Sequence, residues 1–560
     1  MSIFAADSAE SARRPSEAAV GRGRLRDDID VDVCVIGAGI AGLTAALTLA
    51  QLGRSVAVVE AERLADGASA NNSGVALPGY AESLDRIVQR VGLPSAKALW
   101  SLSLEGLQTI RDNLSQDSAR PAGHLMVERR NDAAKLRARA DWLRETFDAD
   151  VAFRSAEEVR ALLPSAAYYQ AIFVPAALNI VPALYLRDLA AAAERAGVRI
   201  FEETQAFGID AAGLRKHVDT GAARVRAGHI VVTAGAKLGG LMPRIARASL
   251  MLEVGLIETA ALPEQARNAF RFRGSVGETG ACHQLVDDAL VWSGGATTRN
   301  TNTQALARRL RADVGQTYPL LRSVEINRAA SAPVAATVHR MPQIGELSPG
   351  VWLGSGFGRR GLATAAMGGL LIARGIAVGD DRWRLFEPFG LVSSGGRAGR
   401  VLAEAALKAR RAATQLQNFI ARYRSPVAPA PVEAADVAVV EAPIDVAPIV
   451  PDDQTAQAPV VAPVQDEITA LPMIHPVSAE ESASAAPKRK KKAAAPRRRA
   501  PRKPKLPAPA DVITLERKSA SKRAVAKTET RRRRASSPPT ELEAAPEIVA
   551  PSVPPGERLH

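Results

Sequence analysis

The chain has 560 residues, enough for two or three domains, and a formal net charge of +14. Its two cysteines, Cys34 and Cys282, exclude a disulfide framework and a cysteine-based metal centre and are typical of a reducing compartment. No stretch approaches 18 uninterrupted apolar residues. The sequence therefore predicts a cytoplasmic protein with no bound metal and no transmembrane segment.

Composition separates a folded body from a tail. Residues 426–560 hold 22 of the 36 prolines and no Phe, Trp or Tyr, so they cannot bury enough apolar surface to offset the entropy of ordering. We therefore predict a disordered N-terminus at residues 1–27, a folded body at 28–424, and a long disordered Pro/Ala-rich tail at 425–560.

The charge of this tail changes sign along its length. Residues 426–487 have ten acidic and no basic residues, whereas residues 488–534 have twenty Lys and Arg against three acidic residues. A basic run without aromatic side chains can bind phosphates but cannot stack on bases, so it predicts non-specific binding of nucleic acid or an anionic membrane. A solvated tail without a dedicated partner explains the same composition equally well.

The first predicted elements form one ordered unit. An apolar strand at residues 31–36 is followed by a glycine turn, a helix over 40–50, a strand at 55–59 and then an acid. The first glycine allows a tight turn, the second lets the backbone approach a pyrophosphate, and the third allows close helix–strand packing. The helix start attracts phosphates, and the acid can accept hydrogen bonds from a ribose. The unit predicts dinucleotide binding by Gly37, Ala38, Gly39, Ile40, Ala41, Gly42 and Glu60.

The loop that follows has small residues that let it pass under a cofactor. Residues 67–74 are GASANNSG, and Ser69 can donate to a pyrophosphate or ribose oxygen. With the glycine turn, this pattern resembles flavoproteins of the D-amino-acid-oxidase superfamily, such as glycine and sarcosine oxidases and, more closely, γ-glutamylputrescine-type amine oxidases. Those proteins usually have Gly-Arg where this chain has Ala70-Asn71. The change lies near the flavin ring in the family and leaves the substrate open.

Further elements follow the order of that family. Helices are predicted at residues 81–117, 133–147 and 184–193, and strands at 123–127, 197–204, 250–259 and 284–295. His124 is interpreted as a sheet residue. A strand ending on Ala234-Gly235-Ala236 resembles the family's second cofactor contact. The resemblance implies a cofactor domain at about 28–90, 175–249 and 330–380, interleaved with a substrate domain at about 91–174 and 250–329.

Two later motifs also resemble the family, with changes. Residues 337–345 have His339 where an Asp is usual, and residues 351–362 have Arg359-Arg360 where the family has Gly-His. The second motif is a strand-to-helix turn whose N–H groups face the flavin pyrimidine in the family. The resemblance therefore adds these cofactor residues: Ala61, Ser69, Ala234, Gly235, Gly356, Phe357, Gly358, Gly361 and Leu362.

Residues 381–424 are predicted as a helical extension of the kind seen in the γ-glutamylputrescine-type branch. Val401, Leu402 and Leu416 belong to one apolar face, with most of the basic residues elsewhere. Docking of this helix on its own body is expected, and a helix lying on a membrane surface is the alternative.

The resemblance implies an α/β protein in which a Rossmann-like FAD-binding domain of the glutathione-reductase type is interleaved with an antiparallel-sheet substrate domain. The activity implied is oxidation of an amine or amino acid at the C–N bond, with hydride transfer to FAD, hydrolysis of the imine, and O₂ or another acceptor reoxidising the flavin. FAD is expected to be non-covalent, because Ala335-Ala336 replaces the cysteine used for attachment in monomeric sarcosine oxidase. The alternative is a flavin-fold protein of reduced activity that its basic tail tethers to a polyanion. The catalytic candidates are Asn72, His339, Arg359 and Arg360.

Overall fold

Two eight-stranded β-sheets, a small three-stranded sheet and the helices packed on them make up residues 22–278, 280–299 and 302–424, which the computed structural model describes. The strands are β1 (Ile29–Ile36), β2 (Val56–Val59), β3 (Val75–Ala76), β4 (Ala119–Arg120), β5 (His124–Glu128), β6 (Ala152–Arg154), β7 (Gln170–Val174), β8 (Leu178–Ile180), β9 (Arg199–Phe201), β10 (Gly208–Asp210), β11 (Lys216–Asp219), β12 (Arg224–Val232), β13 (Ser249–Thr259), β14 (Ser275–Glu278), β15 (Ala281–Val286), β16 (Ala289–Thr297), β17 (Ile326–Thr337), β18 (Gln343–Ser348) and β19 (Val351–Ser355). The helices are α1 (Ile40–Gln51), α2 (Leu84–Asp112), α3 (Ala133–Phe147), α4 (Ala156–Leu162), α5 (Pro182–Arg195), α6 (Pro243–Ala248), α7 (Glu264–Ala269), α8 (Thr303–Thr317), α9 (Gly361–Val378) and α10 (Gly396–Arg424). The predictions for residues 1–21 and 425–560, including the disordered and polyanion-binding tail, lie outside the described residues.

The first sheet contains the strands of the predicted dinucleotide unit. Its order is β10-β11-β12-β1-β2-β9, with β19 joined to β12 and β18 to β19. The pairs that join β12, β1, β2, β9 and β19 are parallel. Val33 and Val35 pack in one core cluster with α1, α5 and α9, while Cys34 and Ile36 pack on the opposite face. Burial on both faces explains why β1 and β2 are continuous apolar runs, and it confirms the predicted Rossmann-like class.

The second sheet is built from the two segments predicted as the substrate domain. Its order is β17-β13-β16-β15-β14-β5-β7-β6, and every pair is antiparallel except β14–β5. Helix α8 covers one face, where a Cβ on Gly255 would lie 3.1 Å from Leu310 Cδ1. Because side chains alternate along a strand, the opposite face carries His124, Cys282 and Gln284. That face is free of α8 and is turned towards the loop after β2.

Two segments cross the predicted domain boundaries. Helix α2 is kinked at Gly92, which has φ +77°, close to the predicted boundary at residue 90. Beyond the kink the helix continues to Asp112 and packs on α9, where a Cβ on Gly106 would lie 2.3 Å from the carbonyl oxygen of Ala363. Strand β17 continues beyond residue 330 to Thr337, which pairs with Ser249 at the start of β13. Contacts between residues distant in sequence thus join segments that the sequence assigns to different domains, and the boundaries themselves stay predictions.

Residues 22–27, predicted to belong to a disordered N-terminus, pack against the first sheet instead. Leu25 is buried, and its backbone N–H donates to Thr204 Oγ1 at 3.1 Å. Arg22 forms an ion pair with Glu194 at 2.6 Å. These contacts are made with the region around β9, so the polar composition of the segment alone gave no indication of them.

Helix α9 is a core element although its composition is apolar enough for a membrane span. With the preceding turn it covers Gly358–Val378, the one described helix that meets the length and hydropathy of a span, and 61% of its most apolar window is buried within the protein. A Cβ on Gly369 would lie 2.3 Å from the carbonyl oxygen of Ala41. The backbones of α9 and α1 are therefore in direct contact.

Helix α10 docks on the body through its polar face, which contradicts the expected packing of its apolar face. Glu404 is 6% exposed and accepts hydrogen bonds from Thr297 Oγ1 at 2.8 Å and Thr298 N at 2.9 Å. Val401 and Leu402 on the other side are 69% and 71% exposed. The sequence correctly predicted a helix with one apolar face. The face that is buried is the other one, because Thr297 and Thr298 at the end of β16 bind the carboxylate of Glu404.

Replacing Glu404 with Ala is expected to detach α10, because the N–H and hydroxyl groups at the end of β16 lose their acceptor. Limited proteolysis should then cut residues 396–417 several-fold faster than in the wild-type protein. Burial alone would raise the pKa of Glu404, but hydrogen bonds from Thr298 and Thr297 outweigh it and hold this pKa below its usual value. The wild-type helix should therefore also loosen as the pH falls through the carboxylate range. Equal cleavage of Glu404→Ala and the exposed-site control Gln415→Ala would contradict this docking role.

Candidate active site

The glycine turn joins β1 to α1 in a conformation that favours glycine. Gly37 has φ +107°, and a Cβ there would lie 3.0 Å from the carbonyl carbon of Thr233. A Cβ on Gly42 would lie 1.9 Å from the carbonyl oxygen of Gly37, so α1 rests on the turn at backbone contact. Gly39 is the N-cap residue and has no side chain to satisfy the first N–H groups of α1. The turn therefore presents the positive end of the helix to any anion in front of it.

Ser69 lies directly before this helix end. Its Oγ accepts a hydrogen bond from Ile40 N at 3.3 Å. A Cβ on Gly39 would lie 2.9 Å from the same Oγ, so the space between turn and loop exists because residue 39 is glycine. The predicted residues Gly39, Ile40 and Ser69 are therefore brought together, with Ala41 following in the first turn of α1.

Glu60, the acid predicted to bind the ribose, lies at the same edge of the first sheet. Glu60 Oε2 accepts from Ala38 N at 2.7 Å, and Oε1 accepts from Glu62 N at 3.1 Å. Both oxygens keep further lone pairs for hydroxyl donors. Ala61, the next residue, lines an open cleft of about 480 Å³ with Arg63 and Asp66.

The predicted second cofactor contact, at Ala234 and Gly235, follows β12 and lies next to the glycine turn. Thr233 Oγ1 donates to Ile36 O at 3.0 Å and to Gly37 O at 3.1 Å. Ala234 and Gly235 follow, and Gly235, at φ +52°, begins a short 3₁₀ turn. The motif therefore adjoins the glycine turn, although it is distant in sequence.

In the loop after β2, Asn72 holds its own backbone. Its Nδ2 donates to Ser69 O at 2.8 Å, and its Oδ1 accepts from Gly74 N at 2.8 Å. Asn72, a catalytic candidate in the sequence, thus supports the loop with both ends of its amide. The neighbouring Asn71 Oδ1 accepts from Arg328 Nη2 at 2.8 Å. A guanidinium therefore reaches this loop from β17.

The strand-to-helix turn after β19 closes the opposite end of the site. Gly356 and Gly358 have φ +71° and +66°, and Phe357 forms a backbone bridge with Ala336. Gly361 begins α9 and Leu362 is buried behind it. The residues predicted for the flavin end therefore form one turn at the N-terminus of α9, beside the end of β17.

The face of the second sheet that is free of α8 covers the loop after β2. Gln284 Nε2 donates to Ser73 O at 2.7 Å. Cys282 lies beside Ser73 and beside Arg359 and Arg360, and burial raises the pKa of its thiol to about 11. The thiol is therefore protonated near neutral pH. Gln284 and Cys282 connect this sheet to the loop, and neither was predicted as a site residue.

Two histidines in this sheet are structural. His124 Nδ1 shares a hydrogen bond with Ser275 Oγ at 2.7 Å, and His283 stacks on Trp292 with ring centroids 4.3 Å apart. Burial lowers the pKa of each imidazole to about 3. Both are neutral at physiological pH, and the interpretation of His124 as a sheet residue is confirmed.

The remaining catalytic candidates separate into two places. Arg359 Nη2 donates to Gly280 O at 2.6 Å across to the second sheet, and Arg360 lies beside it. Burial lowers the pKa of both guanidinium groups, although solvent still reaches Arg359 from the open side. His339 lies in the turn after β17, with its ring 5.9 Å from that of Phe389 and its Nδ1 accepting from Met341 N at 3.2 Å. The two arginines therefore lie at the flavin-end turn, whereas His339 contacts Phe389 and Met341 and reaches the end of β17 through Thr337 Oγ1, 3.3 Å from its Nδ1.

These residues fit FAD. The adenosine diphosphate half of FAD suits three of these features. They are the space at Gly39 that a Cβ would fill, the start of α1 and the carboxylate of Glu60. The turn before α9 and the covering sheet enclose the other end. Fold and site together define a flavin-dependent oxidoreductase.

Residues 32–374 match the DAO model of FAD-dependent oxidoreductases, and the chain belongs to this family. It is 26% identical to the probable oxidoreductase OrdL of Haemophilus influenzae, over 70% of this chain and 92% of that protein. It is also 26% identical to gamma-glutamylputrescine oxidoreductase of Escherichia coli, over 67% of this chain and 91% of that one. The crystal structure of glycine oxidase from Geobacillus kaustophilus superposes with a TM-score of 0.53 at 19% identity, covering 65% of this chain and 98% of the oxidase.

Proposed function

We propose that the protein oxidises an amine or amino acid at the C–N bond, using FAD that is bound without a covalent link. The proposal rests on the position of Arg359 and Arg360 between the flavin-end turn and the covering sheet. The names of the relatives, a gamma-glutamylputrescine oxidoreductase and a glycine oxidase, support a substrate of this class. When bound, FAD would accept a hydride from the carbon next to nitrogen.

We assign the binding of FAD to the predicted residues that converge on this site. The pyrophosphate would lie at the start of α1 beside Ser69, the ribose at Glu60, and the pyrimidine at the turn before α9. The full set is Gly37, Ala38, Gly39, Ile40, Ala41, Gly42, Glu60, Ala61, Ser69, Ala234, Gly235, Gly356, Phe357, Gly358, Gly361 and Leu362.

The environment of the two arginines favours the reactive form of the substrate. An amine must be neutral before the adjacent carbon can give up a hydride, and nearby positive charges disfavour its ammonium form. Arg359 and Arg360 supply such charges without an anionic side chain bound to them in the described residues. The imine that results is released from the site and hydrolysed by water, which needs no further protein group.

Non-covalent binding of FAD is supported by the residues next to the flavin-end turn. Ala336, which bridges Phe357, and its neighbour Ala335 have no nucleophile. The nearby Cys282 is held as a thiol by its raised pKa of about 11. Acid denaturation should release all of the flavin from the chain.

Amines are expected to reduce the flavin at least about tenfold faster than glycine or sarcosine. The reason is that Ala363 is a buried residue of α9 at the position where sarcosine oxidases have a lysine for the substrate carboxylate. Anaerobic mixing of the flavin-loaded protein with a panel of amines and amino acids would measure the rates, and the rate should rise with pH as the amine loses its proton. Faster reduction by sarcosine than by every amine would overturn the preference, and no reduction by any member of the panel would overturn the reaction.

Cytoplasmic location and polyanion binding by residues 488–534 stay predictions from composition. Residues 488–534 lie outside the described residues, and the reaction proposed above depends on neither prediction.

A further inference from the structure

The cleft that Ala61 lines adjoins the ribose end of the site. Its volume is about 480 Å³, and it is lined by residues from separate segments of the chain, among them Arg24, Arg63, Glu203 and Phe207. Two hydrogen bonds join the cleft to the acid assigned to the ribose. Glu60 Oε1 accepts from Glu62 N at 3.1 Å, and Glu60 O accepts from Thr204 N at 2.7 Å. The cleft therefore extends the site beyond Glu60.

Residues 22–27, which we name the N-terminal arm, form one wall of this cleft. Arg24 Nε donates to Glu203 Oε2 at 3.0 Å. The next residue, Leu25, is buried, and its backbone N–H donates to Thr204 Oγ1 at 3.1 Å, which fixes the arm beside the cleft. The part of the chain that matches the family begins at residue 32. No family motif therefore supplies this wall.

Glu203 holds two guanidinium groups at the cleft. Besides Arg24, it pairs with Arg63 Nε at 3.5 Å. Glu203 has φ +48°, in the left-handed region that residues with a Cβ rarely adopt. Backbone of this kind persists where the surrounding contacts require it, and it is frequent at ligand sites. Two planar cationic groups, one from the N-terminal arm and one from the loop after β2, thus meet at one carboxylate.

Phe207 adds an aromatic surface to the same cleft. It is 60% exposed, and its ring rests on Gly221, where a Cβ would lie 3.1 Å from Phe207 Cε2. Guanidinium planes and aromatic rings are the side-chain groups on which flat bases stack. Two of the acids that line the cleft are paired, Glu203 with the arginines and Glu62 with Lys237 at 2.5 Å. A neutral heteroaromatic ring therefore fits this cleft better than an ion.

We propose that the N-terminal arm completes the FAD site, and that the adenine ring of FAD binds in this cleft against Arg24. The proposal rests on the assignment of FAD to the glycine turn and Glu60, and extends it to residues outside the family match. Adenine is the part of FAD attached to the ribose, and the cleft adjoins the acid assigned to that ribose. Arg24 is then a cofactor-binding residue at the end of FAD remote from the flavin.

Binding of ADP to the full-length protein freed of FAD tests the cleft without turnover. ADP has the adenosine half of FAD and no flavin, and titration calorimetry gives its Kd. Arg24→Gln is expected to raise this Kd about tenfold, because the guanidinium plane is lost. Arg26→Gln is the matched control, since it removes the same charge from an exposed position of the N-terminal arm that does not line the cleft. It should change the Kd less than twofold, and equal effects of the two variants would overturn the proposal.

FAD and FMN separate a contact with adenine from a general effect on the fold. On dilution, the Arg24→Gln holoprotein should release half of its FAD at a protein concentration about tenfold higher than the wild type. FMN lacks the adenosine half, so its Kd should be the same for both proteins. Equal weakening of FMN and FAD would assign the effect to the fold and count against the arm. A wild type that binds neither ADP nor FAD would refute the assignment of the cofactor, whereas FAD binding that Arg24→Gln leaves unchanged would refute the arm alone.

Discussion

Gly39→Val is expected to yield a folded protein that contains no FAD. A β-branched side chain at this position would fill the space in front of α1, where a Cβ already lies 2.9 Å from Ser69 Oγ. The side chain points away from the sheet core, so the strands and helices can form without the cofactor. Flavin absorbance of the purified protein, before and after addition of FAD, measures the effect.

Two comparisons make this result specific. Gly67→Ala is the matched control, because a Cβ at Gly67 meets nothing within 4 Å, and it should retain full flavin content. Circular dichroism should show the same secondary structure for wild type, Gly39→Val and the control. A Gly39→Val protein with stoichiometric FAD would remove the assignment of the cofactor to this turn.

Gly369→Ala is expected to destabilise the protein by about 3 kcal/mol and to lower its flavin content. The new methyl group would lie 2.3 Å from the carbonyl oxygen of Ala41 and 2.9 Å from Ala45 N, so α9 and α1 must separate. Alanine's higher helix propensity recovers only about 1 kcal/mol. Because α1 carries the N–H groups that face the cofactor, its displacement also disturbs FAD binding.

Urea denaturation with parallel measurement of bound flavin tests this coupling. Gly240→Ala is the control, since a Cβ there meets nothing within 4 Å, and its free energy of unfolding should stay within about 0.5 kcal/mol of the wild type. If Gly369→Ala were as stable as this control, the backbones of α1 and α9 would have to lie further apart than the 2.3 Å contact at Ala41 implies.

The elements around the glycine turn were predictable because local sequence determines them. The predicted strand at 31–36 and helix at 40–50 correspond to Ile29–Ile36 and Ile40–Gln51. An apolar run buried on both faces and glycines with steric roles leave few alternatives. The family resemblance extended the prediction to the turn before α9, whose residues lie at one end of the site.

What the sequence did not predict depends on partners far along the chain. The apolar period of α10 predicted the wrong buried face, because Thr297 and Thr298 provide the partners of Glu404. The bond from Arg328 to Asn71 joins two segments without a shared motif. His339 was a candidate only through its position in a motif, and its neighbours proved to be Phe389 and Met341. The face of the second sheet that covers the loop after β2 was also not predicted. Polar residues within its strands, such as Gln284, could have indicated it.

The central position of β1 has a consequence for biosynthesis. On one side β1 pairs with β2, which follows it closely, but on the other side Ile36 pairs with Val232 of β12. At roughly 5–20 residues per second, a ribosome needs about 10–40 s to make the chain between them. During that time one edge of β1 has no paired strand and part of its apolar surface is exposed. Unpaired apolar strand edges of this kind can pair with other chains and aggregate. The nascent chain therefore depends on protection of this edge, by the ribosome surface or a chaperone, until β12 has emerged.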